Sequence, residues 1–541
     1  MISGHAIATL VLFIVSIVFV IQTVSFSLPL PHFGRKTVSI NLTTAPILAI
    51  AILWATKCLG PQEIRAGIVG TDGIKPYNIL ILFSSLAYMA ITLDITGVLQ
   101  AAAFWVSNRG GSNGRKLYLY FYVMLTVLSI FLGNDPVILS GTAFLVYYTE
   151  VGELSPMPWL MSEFAAANTA SMVLFVGNPT NVVICEGFGI NNAAFTAYTI
   201  LPFLGCNLAC YMALATQFHD TKYIPGRLSI APGLDVRAAL LDGVGAWVGT
   251  FLLGSCLVVI IVVSFFNVDV WMISLPFAVA KFLFDLTWDH YKYTHGMPML
   301  GRGQPAEDDL VLAELDRRRT STSPQRRQAS LPTITDDATK QVPSPTRAEG
   351  ATDDTNQAST SPSRTPFTHR FASLAARFPT FFTALPRLPF ALIPFAFSQF
   401  ILIEGLVHQG WIEVFARWLA IASKGELFST VWLVGVLGVI LCNISGTNIG
   451  ATILLTKVVR AAELPDDVAR AAGIALAVAS NIGAVSFTFS ASLAGLLWRA
   501  ILKQKGIIVH QKTFAFWNIL PLSAMTAVGL AIVSAEMAVL Y

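Results

Sequence analysis

Apolar stretches long enough to cross a bilayer recur along this chain, and the polar residues that interrupt them cluster at four places. Taking about 17 to 25 predominantly apolar residues as one span, the pattern predicts ten crossings. They lie near 5–28, 43–59, 77–98, 158–190 and 193–217 in the first half, and near 239–265, 268–286, 388–406, 466–503 and 514–540 in the second. Two further apolar pairs, 114–150 and 425–457, turn around at polar tips and read as re-entrant hairpins. The tips are Asn134-Asp135-Pro136 and Asn443-Ile444-Ser445-Gly446-Thr447-Asn448. Two crossings are themselves interrupted, at Gly177-Asn178-Pro179-Thr180-Asn181 and at Ser480-Asn481-Ile482-Gly483. Backbone at bilayer depth needs its N–H and C=O groups satisfied, so such breaks survive only where they line a cavity or are packed in protein. Four of them in a repeated order predict a transporter.

The two halves also match each other. Leu93-Asp94-Ile95-Thr96-Gly97-Val98 and its aromatic amphipathic run resemble Ile403-Glu404-Gly405-Leu406 and the run from Trp411 to Trp418. Acidic helix end, amphipathic run, hairpin tip, broken helix and final span then follow in both. An odd number of spans per half inverts the second copy, and the charges agree with that topology. Segments assigned to the cytoplasm (29–42, 99–116, 218–238, 499–512) hold twelve Lys and Arg, whereas those assigned outside (57–76, 407–425, 457–470) hold eight. The predicted fold class is an all-α polytopic membrane protein of two inverted repeats of five helices, each with a re-entrant hairpin and a broken helix. Residues 1–217 form the first repeat, 218–287 the start of the second and 386–541 its remainder. Between them, 288–385 is rich in Ser, Thr, Pro, Arg and Asp and reads as a disordered cytoplasmic linker. Within it, Arg317 to Ser321 and Arg326 to Ser330 resemble sites for basophilic kinases.

Composition sharpens this picture. With 55% hydrophobic and 12% charged residues and a mean hydropathy of +0.66, the chain is an integral multi-pass protein of the plasma membrane or an internal membrane. A net charge of +3 gives no ground for a nucleic-acid partner. The six cysteines form no CxxC pair or Cys/His cluster, which argues against a disulfide framework, a metal site or another cofactor. The first apolar segment, Ala6 to Val24, lacks a basic leader and a small-residue cleavage site, and is expected to be a retained span.

The breaks carry the candidate chemistry. Pro136, Pro179 and the short polar residues beside them suit helix first turns and caps, so free N–H groups and dipole ends would converge near the midplane. The expected solute and ion ligands are Asn134, Asp135, Asn178, Pro179, Thr180, Asn181, Asn443, Ser445, Thr447, Asn448, Ser480 and Asn481. Asp135 lies in an otherwise uncharged hairpin tip and either carries the coupling ion or only caps the helix after it. Asp94 and Glu404 hold matching places and are expected to fix helix ends. Glu150, Glu163 and Glu186 are expected near the interfaces, in reach of water, and Cys185 and Cys442 to behave as small hydrophobes.

A resemblance now becomes specific. Gly133-Asn134-Asp135, Asn168-Thr169-Ala170-Ser171 leading to Gly177-Asn178-Pro179-Thr180-Asn181, and Ser490-Ala491-Ser492-Leu493-Ala494-Gly495-Leu496-Leu497-Trp498 followed by Lys505-Gly506 resemble the arsenite permease branch of the ion transporter superfamily, with its citrate transporter-like domain. That superfamily also holds citrate, dicarboxylate, silicon-efflux and sodium/proton antiporter members. The resemblance implies inverted repeats around one midplane site and a homodimeric scaffold with elevator-like motion. The paired Ser-Asn-Thr motifs of the sodium/dicarboxylate symporters are not reproduced; the nearest matches are Asn178-Pro179-Thr180 and Gly446-Thr447-Asn448.

The function expected from these residues is secondary active transport, with proton-coupled efflux of arsenite or antimonite as the specific form and H+ or Na+ as the coupling ion. An organic anion such as citrate is the alternative solute, and a sodium/proton exchanger or channel the alternative class. An enzyme is disfavoured because no catalytic set lies at membrane depth. The chain has no Walker motif, so ATP dependence would need a separate ATPase subunit.

Overall fold

The computed structural model describes residues 3–30, 34–228, 234–266, 268–299 and 373–541, and within them the chain is overwhelmingly helical. Among these residues nine helices are long and apolar enough to cross a membrane. The 158–190 and 466–503 crossings contribute none of the nine because each is split into two short pieces. Pro156–Ala170 and Pro179–Phe188 make the first, and Asp466–Ile482 and Leu493–Gln504 the second. At about 1.5 Å per residue no single piece covers a 30 Å hydrocarbon core, so each crossing depends on both.

The two apolar pairs are helix–turn–helix units, Gly114–Leu132 with Asn134–Val151 and Leu427–Ile444 with Asn448–Ala461, and the first arm of each is among the nine helices long enough to cross. Each follows a 13-residue helix, Val98–Gly110 in one half and Trp411–Ser423 in the other. Both of these helices begin after a left-handed glycine, Gly97 (φ 87°) and Gly410 (φ 76°), where a side chain would be strained. The order of elements therefore recurs, down to the residue type at this turn.

Three expectations need correcting. The span foreseen at 43–59 is the 12-residue helix Thr44–Ala55, about 18 Å long and too short to cross alone. It stops because Lys57 turns left-handed (φ 58°) and Pro61 opens a separate helix, Pro61–Val69. Between the first helix, Gly4–Ile21, and Thr44–Ala55 runs an antiparallel hairpin, Val24–Leu30 with Gly34–Ile40, where the apolar count had foreseen continued helix to residue 28. The helix read as ending at 286 is Trp271–Thr294, and Pro379–Ala384 is also helical, so ordered structure intrudes on both ends of the foreseen linker. Asp289 holds these ends together by accepting from Thr380 N (2.9 Å) and Oγ1 (3.0 Å). The kinase-like motifs lie outside the described residues.

The two final spans, Asn192–Gln217 and Gln511–Leu540, lie along each other. Their close approach uses small residues: a Cβ at Gly529 would stand 2.6 Å from Cys206 Sγ, and one at Gly205 would stand 2.2 Å from Ile532. Lipid offers no hydrophobic drive between helices, so such backbone proximity is what holds them. Aromatic packing supports the first hairpin, with Phe121 edge-on to Trp159 (5.9 Å) and Tyr148 (5.5 Å). Phe489 against Phe514 (4.2 Å) supports the second break.

Candidate solute site

Four helices begin at one cavity of about 50 Å³. Its wall includes Asn134 and Asp135 from the first hairpin, Asn178 and Pro179 from the first broken helix, Asn448 and Ile449 from the second hairpin, and Ser492, Leu493 and Ala494 from the second broken helix. Phe83, Ala87, Pro389 and Leu392 supply apolar wall. Each helix starts here for a local reason. Asn178 accepts from Thr180 N (3.2 Å), Thr447 from Gly450 N (3.3 Å) and Ser492 from Gly495 N (3.0 Å). The fourth starts after Gly133, whose φ of 85° admits no ordinary side chain cheaply, and places Asp135 in the first turn. Four positive dipole ends thus face one space, an environment suited to negative or electron-rich atoms.

Behind the wall, Asn481 ties the halves together. It accepts from Ser171 Oγ (2.8 Å) and Asn178 Nδ2 (3.1 Å) and donates to Asn181 Oδ1 (2.7 Å). Asn181 donates in turn to the carbonyls of Ser171 (2.9 Å) and Leu174 (3.0 Å), exposed by the break itself. Ser480 Oγ donates to Thr180 Oγ1 (3.2 Å), and Asn448 Nδ2 to Ser480 O (3.2 Å). The amides thereby satisfy the backbone that an interrupted membrane helix leaves bare.

Of the expected ligands, Asn134, Asp135, Asn178, Pro179 and Asn448 reach the cavity. Thr180, Asn181, Ser480 and Asn481 are fully buried in the junction behind it. The rest serve the second tip. Asn443 Oδ1 accepts from Phe487 N, Thr488 N and Thr488 Oγ1 (each 3.1 Å), and its Nδ2 donates to Ser486 Oγ. Ser445 Oγ donates to Leu441 O (2.7 Å) and Thr447 O (3.1 Å), so Thr447 alone does the capping there. Asn134 does not cap either; its Nδ2 donates to Asn168 Oδ1 (3.2 Å).

Ser492 was not among the expected ligands, although the first break points to it. A short 3-10 turn, Phe175–Gly177, leads to the extended cap Asn178 (φ −150°, ψ 140°), and Phe489–Ala491 leads to Ser492 (φ −144°, ψ 155°). Ser480 and Asn481 instead end the first piece of their helix, which is where Asn168 to Ser171 stand in the other half.

The acids divide into two kinds. Asp94 accepts from Ser140 Oγ and lies 3.6 Å from Arg387 Nη1, while Glu404 is 2.8 Å from Lys457 Nζ and accepts from Thr71 Oγ1 (2.6 Å). Each therefore ties a helix to the second arm of a hairpin. Lys457 also pairs with Asp72 at 2.7 Å in the adjoining loop and holds that carboxyl below its ordinary range. Glu163 corrects an expectation: it is fully buried, accepts from Thr142 Oγ1 (2.9 Å), and fits only because Gly141 has no Cβ. Asp135 and Glu186 have no cationic partner among the described residues.

A charged row escaped the sequence reading. Lys281, Asp285, Asp289 and Lys292 are all buried on one face of Trp271–Thr294. Lys281 Nζ pairs with Asp285, which also accepts from Tyr88 OH (2.9 Å), and Lys292 pairs with Asp242 (2.9 Å) and Asp289 (3.2 Å). Spacings of three and four residues place these on one helix face and are legible in sequence.

A family model described as Citrate transporter matches residues 6–317. An arsenical pump membrane protein of Escherichia coli is 26% identical over 239 residues, 41% of this chain and 54% of that protein. A 46 kDa membrane protein of Mycobacterium leprae is 23% identical over 156 residues, 28% of this chain and 35% of that protein. The chain thus spans only about a third to a half of the length of these relatives. The Alcanivorax borkumensis YdaH transporter aligns with 99% of this chain and 98% of its own, at 11% identity and a TM-score of 0.38, too loose a likeness to compare residues.

Proposed function

The chain belongs to the citrate transporter family, and from that premise we propose that this multi-pass membrane transporter works as a secondary carrier expelling arsenite or antimonite in exchange for protons. The observation that supports this choice is the cavity. At about 50 Å³ it has room for roughly four water-sized groups. Its polar wall is made of amides, a hydroxyl and one carboxylate, with neither Lys nor Arg on it. Arsenous acid, a small neutral trihydroxy solute, matches such donors and acceptors. Citrate carries several carboxylates and would ask for more positive charge and more room. Citrate remains the second reading because the four helix N-termini favour an anion and the matching family model carries its name.

Asp135 would couple solute to proton, since it faces the cavity with no cation among the described residues to hold it ionised. Purified protein in proteoliposomes under an imposed pH gradient tests both parts. Arsenite accumulation that follows the gradient, and is lost in Asp135→Asn, supports the proposal; citrate accumulation in its place overturns the solute. Unchanged accumulation in Asp135→Asn overturns the role of the acid.

A further inference from the structure

A second cavity, of about 260 Å³, lies at the opposite end of the half-helix Pro179–Phe188. The N-terminus of this half-helix lines the solute cavity through Asn178 and Pro179, and its last turns line the second cavity through Val182, Cys185 and Glu186. Glu186 stands seven residues on from Pro179, a rise of about 10 Å along the half-helix. The second cavity reaches the loop residues Asn191 and Asp269, beside Lys75, on the face that the charge pattern assigns to the outside.

Glu186 is bonded in an unusual way. One carboxylate oxygen accepts from the backbone N–H of Lys75 (2.8 Å), the other from Asn78 Nδ2, and Asn78 Oδ1 accepts from Trp271 N (3.1 Å). The nearby cations are engaged elsewhere. Lys75 Nζ is on Asp269 at 2.6 Å, Arg460 donates to the carbonyl of Gly187 (2.6 Å), and Lys457 is on Asp72 and Glu404. Glu186 can therefore gain a proton without stranding a buried cation, which Asp94, Asp285 and Glu404 cannot. Glu163 also lacks a cation among the described residues but is fully buried and lines neither cavity. Asp135 lines the solute cavity and not the second one.

We propose that Glu186 is the proton-loading site of this carrier on the face opposite the solute cavity. The inference rests on the proton-coupled reading above. A proton from that face adds to a carboxylate oxygen, and two charge-assisted bonds to the start of Pro76–Asp94 become neutral and weaker. The half-helix is then released at its far end while its near end still lines the solute cavity. Proton and solute thus act on one rigid rod from its two ends.

The test separates coupling from transport. In proteoliposomes, Glu186→Gln should keep solute exchange without a gradient close to wild type and lose gradient-driven accumulation by roughly tenfold, a normal strength for two coupled sites. Glu186→Asp should recover part of that accumulation. Gradient-driven accumulation equal to wild type in Glu186→Gln overturns the proposal. So does loss of exchange and accumulation together with no recovery in Glu186→Asp, which marks a structural role. Infrared titration of the solute-free protein stands apart from the solute: a carboxyl signal present in wild type and missing from Glu186→Gln supports the site, and identical titrations overturn it. If wild type moves neither arsenite nor citrate, the solute reading fails and the infrared result alone decides Glu186.

Discussion

Trp271–Thr294 and Pro179–Phe188 treat their acids in opposite ways. On the first, every acid has a cation: Asp285 has Lys281, and Asp289 has Lys292. On the second, Glu186 is held by neutral donors alone. A paired charge in a low-dielectric setting is fixed, because removing either partner leaves the other uncompensated. An acid held by neutral donors can change its charge at much lower cost. The first arrangement therefore builds structure, and the second is free to report on protons.

The contrast breaks most sharply at Lys281. Lys281→Met should strand Asp285 and lower stability by about 3–5 kcal/mol, and the double variant K281M/D285L should recover most of the loss. Thermal unfolding in detergent measures both, and an unaffected single variant would deny that the pair is structural. Asn481→Ala comes next, since it leaves Asn178, Asn181 and Ser171 without their shared partner. About 1–3 kcal/mol should be lost by the same assay, with solute flux falling further than stability. Ser492→Ala removes one cap and should cost about 1 kcal/mol, with solute affinity reduced because the cap lines the cavity. A stability loss with unchanged affinity would move Ser492 out of the site.

The smallest effect is at Asp72, which is half exposed and whose pKa Lys457 lowers from 3.8. A depressed carboxyl contributes stability above its ordinary pKa and loses it as pH falls through the lowered one. Asp72→Asn should therefore be slightly less stable than wild type at neutral and mildly acidic pH. The difference should begin to shrink as the pH falls below about 3.8 and close only beneath the lowered value. A gap that persists in acid would mean that the carboxylate charge is not what Lys457 holds.

Much of the architecture was legible because membrane depth makes a polar residue conspicuous. Asn134, Asn178 and Asn448 stand in apolar sequence, and backbone satisfaction leaves few places for them to go. The second restart was misplaced for the same reason. Ser480 and Asn481 stand out among alanines, whereas Ser492 sits in a Ser- and Ala-rich stretch and gives no contrast. Glu163 was beyond reach, since its burial depends on a contact with Gly141 and Thr142 made by a different helix. Lys281 and Asp285 were readable by their spacing but were absorbed into a span on hydropathy alone. The ends of the linker were misjudged because the Asp289 and Thr380 contact joins residues 91 positions apart.

The Asn481 junction also has a history within each molecule. Asn181 and Asn481 are 300 residues apart in the chain. At about 5–20 residues per second, a ribosome needs some tens of seconds to pass from one to the other. Throughout that interval the first broken helix is already made while its partner does not yet exist. Its amides must be kept wet, or shielded by the insertion machinery, until Asp466–Ile482, near the end of the chain, arrives. Translation pauses ahead of residue 466 would lengthen that exposure, and the half-made carrier would be most open to quality-control proteolysis there.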